Sequence, residues 1–158
     1  MRVVLQTAPG SAVSGRLEFS EARWHWYRDN RGHFACSASV YLGDEERSVE
    51  LQEIPVYVQD MVGFFDDMAR HARGWSGVMS WDSESYEIRL DVENPEGKHA
   101  TFDVRMRLSP DFESWWSGVL VIDADALPRA AEAMRKLTGF EEGSRFITPH
   151  HPPTWHPI

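Results

Sequence analysis

Between residues 86 and 108 the sequence alternates with the two-residue period of a strand. In YEIRLDVE, Tyr86, Ile88, Leu90 and Val92 share one face, and Glu87, Arg89, Asp91 and Glu93 the other; TFDVRMRL sets Phe102, Val104, Met106 and Leu108 against Thr101, Asp103, Arg105 and Arg107. The turn-forming NPEGK joins the two. Such a pair has to become an antiparallel hairpin with one face in a core and one in water. It cannot bury its apolar face alone, so other elements must cover it. A register with Arg89 opposite Asp103 and Glu87 opposite Arg105 pairs unlike charges on the open face, which reads as a solvated ladder.

The same period recurs on the N-terminal side. RVVLQ, GRLEF and ARWHWYR read as strands, with Trp24 and Trp26 on one face, and HFACSASVYL alternates so that Phe34, Cys36, Ala38, Val40 and Leu42 lie together. Cys36 reads as a small core hydrophobe, since a reactive thiol wants a cationic, partly exposed setting. RSVELQEI returns, and Pro55, which cannot donate to a ladder, is expected to end that strand.

The period then changes to that of a helix. Val58, Met61, Val62, Phe65, Met68, Ala69 and Ala72 make one apolar stripe, with Asp60 early and Arg70, His71 and Arg73 late, as the helix dipole favours. Gly74 is expected to close this helix in a left-handed conformation. Trp75 then plugs the junction of helix and sheet, and Trp81 lies near the end of the next strand. Further on, Trp115 and Trp116 begin a strand, where adjacent residues face opposite sides. Leu127, Ala130, Ala131, Met134 and Leu137 form a second amphipathic helix, with Asp123 or Asp125 as its cap and Gly139 as its close.

These elements predict an α+β fold: an antiparallel, curved sheet of about seven to nine strands with two helices packed on one side. At 158 residues the chain suits one core, with no internal repeat or linker. Residues 1–140 are expected to form a single domain, followed by a Pro/His-rich extension over 141–158. No apolar run is long enough to span a bilayer and the apolar start is short for a secretory leader, so the expected location is cytoplasmic, away from membranes.

The net charge of −9 argues against a nucleic-acid partner, because affinity for phosphates is carried by basic side chains. The acids are concentrated: from Leu42 to Met68 eight of them face Arg47 alone, a balance of −7. Asp44, Glu45, Glu46, Glu50, Asp66 and Asp67 are the candidate partner-binding residues of this region, which would attract a basic surface. An alternative is a ligand pocket lined by Trp75, Trp81, Trp24 and Trp26.

Motifs for catalysis are missing. Gly74-Trp75-Ser76-Gly77 is one residue short of a nucleophile elbow, and no P-loop, dinucleotide-binding glycine motif or HExxH occurs. No catalytic residue, cofactor or metal is therefore assigned. Capping explains the Asp123–Asp125 pair without a metal, and His150, His151 and His156 lack the carboxylate or Cys partners of a metal site.

The segments MVGFFDDMARHARGWSGVMSWDSE, YEIRLDVENPEGKHATFDVRMRL and WWSGVLVIDADALPRAAEAM resemble a bacterial family known as domain of unknown function 6228. The Phe64-Phe65 pair, Gly74-Trp75 with Gly77 and Trp81, and the Gly97-Lys98-His99 turn carry the resemblance. It spans Val58 to Phe140; residues before 56 match only as generic strands, and the tail from Glu141 departs from the pattern. In general pattern the family is similar to immunity proteins of wall-associated polymorphic toxins. The resemblance implies an antiparallel sheet with helices on one side, transfers no catalytic residues, and suggests a protein that neutralises a toxin by binding it; the acidic balance suits a basic toxin domain.

Overall fold

Four strands and a helix occur twice in succession. Strands β1 (Arg2–Gln6), β2 (Arg16–Arg28), β3 (Phe34–Gly43) and β4 (Ser48–Tyr57) lead into helix α1 (Val58–Arg70). Strands β5 (Met79–Asp82), β6 (Ile88–Glu93), β7 (His99–Arg107) and β8 (Trp115–Asp123) lead through a 3-10 turn (Ala124–Ala126) into helix α2 (Leu127–Thr138). Two-residue strands β9 (Phe140–Glu141), β10 (Arg145–Phe146) and β11 (His156–Pro157) follow. The computed structural model describes residues 2–8, 15–28, 34–43, 48–83, 87–107, 115–141, 145–146 and 156–157; the side chains of 21–28, 34–40, 42, 53, 55, 115, 140–141, 145–146 and 156–157 lie outside that description.

The molecule is α+β, as the sequence predicts. Its eight long strands form two antiparallel meanders, β1-β2-β3-β4 and β5-β6-β7-β8, and β11 adds to β2 in parallel. Helix α2 packs on β1 and β2 of the first sheet, α1 packs on β5 of the second sheet and on β3 and β4 of the first, and the helices pack on each other. One continuous core results. It joins Val3, Leu5, Leu17 and Phe19 of the first sheet to Leu90, Val92, Phe102 and Val104 of the second through Met61, Phe65 and Met134 of the helices. Phe19 ties the layers together, meeting the rings of Phe65 and Trp81 edge-on at centroid distances of 6.1 and 6.4 Å.

The hairpin 88–107 alternates buried and accessible residues as expected, yet its register differs from the charge-paired one. Arg89 stands opposite Arg105 and Asp91 opposite Asp103. Each register places the same residues inward, so burial does not choose between them; the observed one follows the turn at Asn94–Gly97, where the Asn94 side chain accepts from Gly97 N at 2.9 Å.

That turn also explains Gly74. Helix α1 ends at Arg70 with His71 as its cap, so Gly74 does not close the helix. With φ +123°, it lets the following chain dock on the hairpin: Trp75 N donates to Asn94 O at 2.9 Å, and Asn94 Nδ2 to Ala72 O at 3.1 Å. Asn94 is fully buried, its amide satisfied by the two backbones it joins. Trp75 is partly buried against the core, and its Nε1 donates to Val92 O at 3.3 Å.

Three smaller expectations also change or hold. Strand β4 continues through Pro55 to Tyr57, which an edge strand tolerates because one side of it has no ladder to supply. Neither Asp123 nor Asp125 caps α2 through a side-chain hydrogen bond; Asp123 lies 3.4 Å from His99 Nε2 instead. Gly139 does close α2 in the left-handed conformation, at φ 66° and ψ 16°.

Candidate functional site

Helix α1 presents Asp60, Gly63, Phe64 and Asp67 at helical spacing along one side, and β5 runs beside it. Between them opens a groove of about 570 Å³, lined by Tyr57, Gln59, Asp60, Gly63, Phe64 and Asp67 on the helix side and Ser80, Trp81 and Asp82 on the strand side. Gly63 supplies its depth, since a Cβ built there would meet nothing within 4 Å. Phe64 and Trp81 form an aromatic floor, only 8% and 5% exposed, with their rings 6.5 Å apart. The Trp81 Nε1–H is buried and without a hydrogen-bond partner among the described residues.

Three carboxylates stand around that floor. Asp82 pairs with Arg89 at 3.1 Å, and Asp67 pairs with Arg70 one turn on. Asp60, exposed in the first turn of α1, forms no ion pair among the described residues. The groove thus has an apolar base and an acidic rim, an arrangement that attracts a cationic group carried beside apolar surface.

The open face of the second sheet forms another shallow depression, of about 550 Å³, lined by Val78, Ser80, Arg89, Asp91, Glu93, Thr101, Asp103 and Val119. Arg89 is its hub, donating through Nε to Asp91 at 3.0 Å and through Nη1 to Asp82. The hydrogen bond to Asp91 and the charge of Asp82 hold the guanidinium above its ordinary pKa. Partial burial alone would raise the Asp91 carboxyl, but hydrogen bonds from Arg89 and Ser80 and the charges of Arg89 and Arg105 outweigh it, so Asp91 titrates below the usual carboxylate range.

Of the six acids expected to bind a partner, Asp67 lies in the groove and Glu50 is exposed on β4. Asp66 points elsewhere: its side chain is 13% exposed and pairs with Arg135 of α2, joining the two helices. Asp44, Glu45 and Glu46 fall outside the described residues. Among the four tryptophans, Trp81 reaches the groove, Trp75 packs behind the hairpin, and the side chains of Trp24 and Trp26 fall outside the described residues, as do that of Cys36 and all of His150 and His151. Among the described residues no group of three or more His, Cys, Asp or Glu is arranged to hold a metal ion, and no helix is long and apolar enough to cross a membrane.

Sequence reasoning missed Gly63, Tyr57 and Asp82 as parts of one site. The spacing of Asp60, Gly63, Phe64 and Asp67 was the available signal for the helix wall; the strand wall depends on β5 lying beside α1, which no local pattern encodes.

A family of unknown function, DUF6228, matches residues 10–140. The match takes in β2, β3 and β4, beyond the segments that carry the resemblance in sequence. No curated protein matches the chain. Among solved structures, one described as the plant transcriptional regulator PBF-2 is similar over 88% of this chain and 81% of that chain, with 11% identity and a TM-score of 0.49.

Proposed function

The chain belongs to the DUF6228 family, and we propose that it is a non-catalytic protein-binding domain whose groove between α1 and β5 takes a basic segment of a partner. The observation that carries this reading is the acidic rim of Asp60, Asp67 and Asp82 around the aromatic floor of Phe64 and Trp81. A lysine or arginine entering such a groove finds carboxylates for its charge and indole or phenyl surface for its methylenes. The net charge of −9 favours encounter with a cationic partner. Toxin neutralisation in the cytoplasm is the sharpest form of the proposal: a basic toxin domain whose own anionic substrate is displaced by these carboxylates.

The test uses Gly63. Gly63→Trp fills the groove from the helix without touching the core, because space is open beyond the missing Cβ. Gly63→Ala serves as the fold control and should stabilise the protein by about 0.5–1 kcal/mol through helix propensity. Calorimetric titration against a lysine- and arginine-rich peptide that also carries apolar residues should show binding by wild type and Gly63→Ala, and at least a tenfold loss for Gly63→Trp and for Asp60→Lys. Equal affinity in all four proteins, or no binding by wild type, would reject the groove as the site.

A further inference from the structure

The register of the second sheet sorts its open-face charges into rows. Crossing the sheet from β5 to β8, one row reads Asp82, Arg89, Arg105, Ser117 and the next reads Ser80, Asp91, Asp103, Val119. At the centre two arginines lie side by side, and beside them two aspartates. Like charges directly opposite one another destabilise a sheet, so the hairpin gains nothing from this arrangement by itself. Arg89 is relieved by Asp82 and Asp91, but Asp103 and Arg105 form no ion pair among the described residues.

A face with a cationic row beside an anionic row is complementary to itself. Rotation by half a turn about an axis lying in the face, between the two rows, brings each row of one copy over the opposite row of the other. Arg105 then meets Asp103 of the second copy twice over, and Arg89 meets Asp91. Two of the three large hydrophobic residues exposed among the described residues, Val78 at 52% and Val119 at 42%, lie on this face and would be covered by the same contact. We infer that the open face of the second sheet is the contact surface of a symmetric, face-to-face homodimer.

The size of the face sets the strength of the contact. Four strands about 4.8 Å apart and rising about 3.4 Å per residue give a patch of roughly 19 by 25 Å. That is on the order of 500 Å² per partner, below the roughly 800 Å² of a standard stable interface. The dimer is accordingly weak and exchanging. The net charge of −9 on each copy opposes it at long range, so it forms best near ~0.15 M salt, where a screening length of about 8 Å hides distant charges and spares those in contact.

Sedimentation equilibrium of the full chain over a range of concentrations near ~0.15 M salt tests this. Wild type should show a monomer–dimer equilibrium. Asp103→Arg and Arg105→Asp should each weaken it at least tenfold, since each leaves a face of mostly one sign at its centre. The combined Asp103→Arg/Arg105→Asp variant exchanges the rows at these positions and should recover most of the lost association. Melting temperatures check that all four proteins are folded, and Gly63→Trp, which alters only the other groove, should dimerise like wild type. A monomeric wild type up to millimolar concentration, single variants that dimerise like wild type, or a double variant no better than the singles would overturn the inference.

Discussion

Gly97 and Gly77 share almost the same φ, +76° and +81°, yet their surroundings differ completely. A Cβ on Gly97 would stand 2.0 Å from the carbonyl oxygen of Arg73, whereas one on Gly77 would meet nothing within 4 Å. Gly77→Ala therefore measures the backbone strain alone, about 1–2 kcal/mol. Gly97→Ala adds a collision with main chain and should cost a further ~1–3 kcal/mol, read from denaturant midpoints. Equal losses would mean that the docked loop yields. Composition marks both positions as turn glycines, but only the fold shows that the chain after α1 is held between Gly97 and the buried Asn94. A turn motif announces a reversal of the chain and is silent about what packs against it.

In the second sheet, the interaction that answers to pH is Asp91 with Arg89. A carboxyl titrates near ~3.9 in the unfolded chain, and Asp91 is held lower when folded. The contribution is thus complete above the unfolded value and is lost as pH falls through the folded one. Asp91→Asn should melt below wild type at neutral pH, and the gap should close progressively below about pH 4. A gap that widens with acid would refute this assignment. Arg89 is 41% exposed, so solvent keeps the effect modest. The helices and the hairpin were legible because period fixes which residues turn inward. Register was not, since slipping Arg89 from Asp103 to Arg105 is a two-residue shift that leaves every face unchanged. The groove was half legible: its helix wall follows from the spacing of Asp60, Phe64 and Asp67, while Asp66, one position away, turns out to bind Arg135 instead.

Across the whole molecule, one core runs through both sheets and both helices, so neither half has a core of its own. Val3 and Leu5 rely on α2, and Trp81 relies on α1 and on Phe19. Unfolding should therefore be a single cooperative event, with tryptophan fluorescence and far-ultraviolet dichroism changing together in denaturant. Two separated transitions would show that the sheets stand independently. The packing of α2 on β1 has a consequence during synthesis on the ribosome. Strand β1 is made before its cover, α2, which is completed only at Thr138. At roughly 5–20 residues added per second, the inner face of β1 waits on the order of ten seconds for a helix that has not yet been translated. Over that interval the inner face of β1 lacks its cover and is open to other apolar surfaces until Thr138 has left the ribosome.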